Sequence, residues 1–345
     1  MSLSEAANPG ETNTGVSAAA GSGETTLRTK RKSSLNPRVE RILKIVLVTY
    51  MVLQVLFVVA FAAHPPVGAI GLILIGRGPQ SGVVESIQSY YRRWHTPVKQ
   101  QEANAASLLV RKEGGFQLIR TPWGEIWEPE IDGSAILAQI GEINGKYDGF
   151  EGTPIHKGDI VLDGGANVGV TTLHALRLGA AKVVAIEPAP ANVAILERNF
   201  AKEIAEGRVI VYPKGVWDKD DILPLSLNED TTAMDSVVIK RVHATKTVNV
   251  PLTTIDKLVA ELGLERVDMI KLDTEGAEKP ALRGATKTIA KWHPRFEISV
   301  DHLPNDPVEV PALLRSIDPT YKMRCLVSDA DYSAWRVNST ILFFD

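Results

Sequence analysis

The sequence is poor in cysteine and has no strong excess of either charge, and both absences narrow the classes of protein to which it can belong. Cys325 is the single cysteine, so an intramolecular disulfide and a cysteine-rich zinc site are excluded, and we assign no residue to a metal. The formal net charge is -3 at pH 7. Because nucleic-acid binding relies on a strong positive field, we predict no nucleic-acid partner.

Large apolar side chains are almost missing from residues 1–40, where Ser, Thr, Gly, Ala, Asn and Glu dominate. Such a segment cannot offset its ordering entropy by burial, so we predict a disordered tail. Its end is basic, with a cluster of Lys and Arg between positions 28 and 44.

Residues 45–76 contain no Asp, Glu, Lys or Arg. The part from Ile45 to Ala63 is a nearly unbroken apolar run whose length as a helix approaches the hydrocarbon thickness of a bilayer. Pro65 and Pro66 then interrupt the helical pattern, and the second apolar piece, Val67 to Gly76, is too short to span alone. We therefore predict that residues 41–76 form a membrane anchor.

Two topologies of this anchor fit the sequence. The basic cluster before the span places the N-terminus in the cytoplasm, and a single span would then export the rest of the chain. A helical hairpin broken at the two prolines returns the chain to the cytoplasmic side. We predict membrane localisation with the main domain on that side, where a cytosolic cofactor is available.

Residues 77–150 are predicted as an amphipathic linker followed by a small accessory hairpin and helix. Between positions 90 and 94, Tyr, Arg and Trp side chains suit either a membrane surface or an ordinary linker helix. Phe116–Ile119 and Glu125–Trp127 flank a Pro-containing turn and predict a β-hairpin. A short helix is expected near Ser134 to Lys146.

The main domain, residues 151–345, opens with a strand that ends in an acid and runs into a glycine-rich turn. Ile160–Asp163 is the strand, and Gly165 and Gly169 in the turn allow a ligand to approach the backbone and the start of the next helix. The dinucleotide fingerprint G-x-G-x-x-G is not matched, since its second glycine is absent. An acid at the strand end repels pyrophosphate and suits a cationic ligand.

A second apolar strand, Lys182 to Ile186, ends at Glu187, whose carboxylate can accept hydrogen bonds from both ribose hydroxyls of a nucleoside. Helical spacing resumes between Asn192 and Phe200. Strands that alternate with helices at this interval predict a mostly parallel α/β sheet with ligands at the carboxyl ends of its strands.

Two further strands also end in titratable residues. The strand before Asp273 and Glu275 places both carboxylates on the ligand face, where either can act as a general base or orient an acceptor, or can simply cap a helix. Glu278 and Lys271 are better explained as structural cap or ion-pair residues. His302 follows the strand Arg295 to Val300 and is a second candidate base.

The segments DGGANVG, IEPAPAN, VPLTTID and above all IKLDTEGAE resemble the FkbM family of methyltransferases over Gly158 to His302. The resemblance implies a seven-stranded Rossmann-like α/β sheet with helices on both faces, S-adenosylmethionine as cofactor, and methyl transfer to a hydroxyl oxygen. By position it assigns cofactor contacts to Asp163, Gly165, Asn167, Gly169 and Glu187, and the reacting face to Asp273 and Glu275. Gly164 and Pro280 depart from the family pattern, and Pro280 puts the start of the following helix in doubt.

The predicted activity is therefore O-methylation of a small-molecule, glycan, lipid-linked or polyketide-like acceptor near a membrane. Two alternatives from other classes stay open. A nicotinamide-dependent oxidoreductase uses a similar sheet but a different glycine spacing. A non-catalytic membrane scaffold with a nucleoside pocket is the other, although acids at two strand ends argue against it.

Overall fold

The computed structural model describes residues 36–63, 65–133, 135–147, 150, 154–227, 235–239 and 246–345. Helices in these ranges are α1 (Pro37–Ala63), α2 (Pro65–Leu72), α3 (Val83–Ala105), α4 (Ala135–Lys146), α5 (Val170–Arg177), α6 (Pro190–Asn199), α7 (Ala201–Ala205), α8 (Ile255–Glu261), α9 (Glu278–Arg283), α10 (Thr286–Trp292) and α11 (Asp306–Ile317). Strands are β1 (Leu108–Glu113), β2 (Phe116–Thr121), β3 (Gly124–Pro129), β4 (Ile160–Gly164), β5 (Lys182–Ile186), β6 (Val209–Tyr212), β7 (Gly215–Val216), β8 (Asp221–Leu227), β9 (Lys246–Thr253), β10 (Met269–Leu272), β11 (Arg295–Ser299), β12 (Met323–Asp331) and β13 (Arg336–Phe344).

Within these ranges, the central sheet has seven strands in the order β12-β13-β11-β10-β4-β5-β6. β13 runs antiparallel to both of its neighbours, and the other pairs are parallel. Val161, Leu162, Ile270 and Leu272 are almost fully buried, because helices cover both faces of the inner strands. The four strands that the sequence predicted in this domain, β4, β5, β10 and β11, are confirmed.

The direction of winding reverses between β4 and β10, which are adjacent in the sheet. From β4 the chain moves outward through β5 to β6, and from β10 it moves the other way to β11. In open α/β sheets, ligands bind in the crevice at the carboxyl ends of the strands at such a reversal. The acids predicted to bind a ligand follow strands on either side of this point.

Pro280 does not prevent the helix after the β10 turn. It is the third residue of α9, which begins at Glu278. An N–H in the first turn of a helix has no intrahelical partner, so a proline there loses no helical hydrogen bond. The doubt about this helix boundary is therefore removed.

Two smaller sheets flank the central one. β1, β2 and β3 form an antiparallel meander that contains the predicted hairpin, and Thr121 Oγ1 donates to Gly124 O (2.8 Å) across its turn. Ile126 of this meander packs with Ile136 and Ile140 of α4, the helix predicted near this position. The third sheet has the order β7-β9-β8.

The N-terminal prediction needs two corrections. α1 begins at Pro37, where Asn36 Oδ1 accepts a hydrogen bond from Arg38 N (3.0 Å), so residues 37–40 are helical. Residues 1–35 of the predicted disordered tail lie outside the described residues. The apolar run Ile45 to Ala63 does lie in α1. Yet in the part of the chain that the structure describes, no helix has both the length and the apolar character to cross a membrane, so the predicted anchor is not supported.

The second arm of the predicted membrane hairpin packs on the protein itself. The chain divides into two compact units, with the boundary between Leu56 and Phe57. The second unit, Phe57–Asp345, contains the sheets. In it, Ala69, Leu72 and Ile73 are buried with Val337 of β13. An apolar run is needed for a core contact as much as for a lipid contact, which is why composition alone misassigned it.

α3 is likewise held against the central sheet. Arg92 is 4% exposed, and its Nη1 donates to the carbonyl oxygen of Leu326 in β12 (3.0 Å). The hydroxyl groups of Ser89 and Ser328 are hydrogen-bonded at 2.8 Å. Of the two sequence interpretations of this segment, the packing favours a structural helix over one that lies on a membrane surface.

Candidate active site

Two adjoining cavities open where the winding of the sheet reverses. The first cavity lies between the ends of β4, β5 and β10 and the third sheet. The second cavity lies between β10, β11, α3 and α4. Gly165, Asn167, Asp273 and Glu275 line both, so the two cavities meet at these residues.

Gly165 and Gly169 are required by the backbone around the first cavity. Gly165 has φ +73°, and a Cβ there would lie 1.9 Å from the carbonyl oxygen of Asp273. Gly169 has φ +100°, and a Cβ would lie 2.2 Å from Cε2 of Phe200. Only Gly165 lines the cavity, whereas Gly169 precedes α5 and allows α5 and α6 to pack closely.

Asp163 lies behind the cavity wall and has no exposed surface. Thr172 Oγ1 donates to its Oδ2 at 2.7 Å, and Lys271 Nζ lies 3.6 Å from its Oδ1. The structure therefore places Asp163 where it orients Lys271 and the glycine turn, away from the surface that a ligand would touch.

Glu187 is held with its carboxylate at the wall of the first cavity. The backbone N–H groups of Asn167 and Ala189 donate to its two oxygens, each at 2.9 Å. Asn167 provides this N–H because its backbone is left-handed (φ 51°), a conformation that Asn tolerates better than most residues. Burial raises the pKa of Glu187, and the two N–H donors oppose that rise. Each carboxylate oxygen can accept a further hydrogen bond in addition to these two.

The rest of the first cavity is an apolar wall that our sequence analysis did not assign. Val216, Leu225 and Leu252 of the third sheet form it, together with Ile186 and Pro188. The alternation of apolar residues in β9 indicates a half-buried strand, but nothing local shows that the strand reaches the end of β5. The cavity thus combines an apolar wall with acidic side chains.

Lys271 connects the acids beneath the glycine turn. Its Nζ donates to Gly165 O (3.1 Å) and lies 3.5 Å from Oδ2 of Asp273. Burial favours the neutral amine, but the carboxylates of Asp273 and Asp163 prevail and raise the pKa of Lys271. Its predicted role as a structural ion-pair residue is confirmed.

The turn after β10, which holds Asp273 and Glu275, lies beside the segment after β11, which holds His302. His302 Nε2 lies 3.5 Å from Oδ1 of Asp273 and 3.6 Å from Oε1 of Glu275. Glu278 Oε1 accepts from Thr274 N (2.7 Å) and contacts His302 Nδ1 (3.0 Å). Glu278 is therefore a cap of the turn, as expected, and also fixes the imidazole ring.

The charges in this cluster set the protonation of its members. Burial disfavours the imidazolium form of His302, but Glu275, Glu278 and Asp273 outweigh that effect and raise its pKa to about 11. Burial would raise the pKa of Asp273, yet Lys271 and His302 lower it to about 2. At neutral pH, His302 is therefore protonated and Asp273 is a weakly basic carboxylate. Neither protonation state suits a general base that removes a proton from an acceptor.

Asp301 and Glu142 are two acids of the second cavity that our site prediction missed. Both residues are exposed, yet neighbouring protein atoms displace water from their carboxyl groups. This desolvation raises the pKa of Asp301 to about 6, despite the opposing charge of His302, and also raises the pKa of Glu142. Asp301 lies two residues beyond the end of β11, where ligand-binding groups are expected in such a sheet, whereas Glu142 lies on α4 and belongs to no motif.

A buried ion pair fixes α4 beside the second cavity. Lys146 Nζ lies 2.6 Å from Oε1 of Glu297 in β11, and their side chains are 7% and 5% exposed. The hydroxyl group of Tyr147 donates to the other oxygen of Glu297. Because Lys146 and Glu142 both line the cavity, this contact determines the shape of its α4 side.

Three features are typical of the class of seven-stranded α/β methyltransferases. They are the order of the seven strands, the antiparallel β13, and the glycine turn between a strand that ends in an acid and a helix. Residues 163–323 match the family model of the Methyltransferase FkbM domain. This match confirms the resemblance to the FkbM methyltransferases that the sequence showed over this segment.

Two curated relatives and one solved structure illustrate the similarity. Methyltransferase sdnD of Sordaria araneosa is 30% identical over 153 residues, which are 36% of this chain and 59% of the relative. The 31-O-demethyl-FK506 methyltransferase FkbM of Streptomyces tacrolimicus is 27% identical over 160 residues, or 39% of this chain and 62% of that protein. The chain thus spans 59% to 62% of these relatives. The crystal structure of Methyltransferase FkbM from Methylobacillus flagellatus KT has a TM-score of 0.41 and 20% identity, over 61% of this chain and 53% of that chain.

Proposed function

We propose that this protein transfers the methyl group of S-adenosylmethionine to a hydroxyl oxygen of a glycan, lipid-linked saccharide or polyketide-like acceptor. The observation that carries the proposal is the set of groups that lines the first cavity. An apolar wall and the Glu187 carboxylate share this cavity, and Asp273 and Glu275 lie at its junction with the second cavity. This set matches the base, the ribose and the positively charged end of a sulfonium nucleoside.

The residues present fit this cofactor. Val216, Leu225 and Leu252 provide an apolar surface for an adenine ring, and Glu187 can accept hydrogen bonds from ribose hydroxyls. Asp273 and Glu275 provide negative charge for the positively charged end of the cofactor. When bound, S-adenosylmethionine supplies a methyl group activated by a positively charged sulfur atom. The same acids would repel the pyrophosphate of a nicotinamide cofactor, which argues against the oxidoreductase alternative.

The chain's own work is then to orient the acceptor hydroxyl, exclude water and accept the hydroxyl proton. We assign proton acceptance to Asp301, because a carboxyl with a pKa of about 6 is ionised at neutral pH and still basic enough to be useful. Asp273 and His302 hold the acceptor side of the cleft in place through their mutual charge. The name of the Streptomyces relative, which specifies O-demethyl FK506, supports an oxygen acceptor.

Calorimetry with S-adenosylmethionine tests the proposal. The wild-type chain should bind it, and Glu187→Ala should weaken binding by about tenfold or more, because charge-assisted hydrogen bonds contribute about 1.5–3 kcal/mol. Glu197→Ala, an exposed acid on the neighbouring α6, is the matched control and should bind like wild type. Absence of binding to the wild-type chain, or equal affinity of Glu187→Ala, would overturn the proposal.

A further inference from the structure

We infer that the acceptor is amphiphilic, and that its apolar portion binds in an aromatic groove that continues the second cavity. This inference rests on the proposed function and narrows its acceptor. The aromatic groove is lined by Tyr90, Trp94, Pro97, Val98, Ala330 and Tyr332, and by the ion pair between Arg93 and Asp329.

One face of α3 forms a wall of the groove. Tyr90, Trp94 and Val98 follow one another at intervals of four residues, which places them on the same side of the helix. Tyr90 is 6% exposed, whereas Trp94 and Val98 are each 49% exposed. The inner end of the wall is therefore packed against the protein, and its outer end presents apolar surface to solvent.

Tyr332 completes the floor from the turn between β12 and β13. A side-chain hydrogen bond joins it to Tyr90, which belongs to the buried cluster of Leu72, Ile73 and Val337. Ala330 and Tyr332 pack on the edge of this cluster. The floor is thus preformed, so an apolar ligand need not order it on binding.

The ion pair of Arg93 and Asp329 forms the boundary between the groove and the second cavity. Arg93 Nε lies 3.1 Å from Oδ2 of Asp329, and both residues line both spaces. Their side chains are about half exposed, and such a pair contributes little to stability and can separate readily. A bound molecule can therefore extend past this pair from one space into the other.

The two spaces differ in chemistry in a way that defines the occupant. The second cavity is lined by charged groups, among them Glu142, Lys146, Asp301 and His302, whereas the groove beyond the ion pair is mainly aromatic and aliphatic. A molecule with a hydroxyl-bearing head and an apolar body matches both spaces in order. The direct continuity with the cavity favours the body of the acceptor over a separate protein partner.

Ligand-observed NMR titrations of the full chain with methyl and octyl β-glucoside, the latter below its micelle concentration, test the inference. Octyl glucoside should bind with an affinity at least about tenfold higher than that of methyl glucoside, because each buried methylene strengthens binding roughly fourfold. Trp94→Ala should remove most of this difference and leave methyl glucoside unaffected, while Trp94→Phe should retain it. Tyr91→Ala is the matched control, since Tyr91 is an aromatic on the same helix, 55% exposed and outside the lining of the groove.

Equal affinity of the wild-type chain for the two glucosides would overturn the inference. So would an equal loss of octyl glucoside affinity in Trp94→Ala and Tyr91→Ala. Calorimetry with S-adenosylmethionine on the same samples separates this failure from failure of the proposed function. A chain that binds the cofactor but does not distinguish the glucosides refutes the groove alone. A wild-type chain that does not bind the cofactor refutes the proposed function.

Discussion

Replacing Lys146 with methionine tests how α4 is held beside the second cavity. The change keeps the apolar stem of the side chain and removes the charge that lies 2.6 Å from Glu297. Burial alone would raise the pKa of Glu297, but Lys146 lowers it below its usual value, so the carboxylate depends on this partner. Breaking a buried pair from one side typically costs about 3–5 kcal/mol, so we expect a loss of that size at pH 8.

The free energy of unfolding from urea denaturation, followed by circular dichroism, measures the effect. Arg120→Met is the matched control, because Arg120 pairs with Glu125 at 2.8 Å but their side chains are 60% and 44% exposed, and it should change stability by no more than about 0.5 kcal/mol. The loss in Lys146→Met should shrink at acidic pH, because Glu297 can then take up a proton. The additional change Glu297→Gln should recover part of the loss at pH 8. A cost for Lys146→Met no greater than that for Arg120→Met would refute the reasoning.

Three further predictions follow from the site. Gly165→Ala should abolish cofactor binding in calorimetry, because its Cβ would lie 1.9 Å from the carbonyl oxygen of Asp273; retained affinity would contradict the geometry. With an identified acceptor, kcat/KM should rise with pH through about 6 as Asp301 loses its proton, and Asp301→Asn should flatten that rise and lower the rate about 100-fold. An unchanged profile would remove Asp301 from the mechanism. The pKa of His302 is raised to about 11, so its contribution to stability is complete below its unfolded value of about 6.5 and is lost as pH rises toward 11. The stability difference between wild type and His302→Gln should therefore be larger at pH 6 than at pH 9, and a difference that grows with pH would be inconsistent with this linkage.

The sequence was sufficient for the features that depend on local pattern and topology. Apolar runs of strand length predicted β4, β5, β10 and β11, because strands covered on both faces need continuous apolar residues. Acids at the ends of these strands met at one edge of the sheet because parallel strands align their carboxyl ends. For the same reason, Asp273, Glu275 and His302 lie together although His302 is distant in sequence.

Features that depend on packing between distant segments were not predictable in the same way. Asp163, like Glu187, is an acid at the end of an apolar strand, and the sequence around it does not distinguish the two. In the structure, Thr172 and Lys271 enclose Asp163, and no pattern near Asp163 in the sequence predicts these contacts. Glu142 reaches the second cavity only because α4 is fixed to β11. The residues after Pro66 have the composition of a membrane segment, and only the position of Val337 beneath them shows that they are part of the core.

The central claim is that the cavity beside Glu187 binds a sulfonium nucleoside. A crystal structure of the full chain with S-adenosylhomocysteine tests it most directly. We predict ribose hydroxyl oxygens within hydrogen-bonding distance, about 2.5–3.0 Å, of the Glu187 carboxylate, with the base against Leu225 and Leu252. A ligand bound elsewhere, or a first cavity closed by protein side chains at saturating ligand, would contradict the claim.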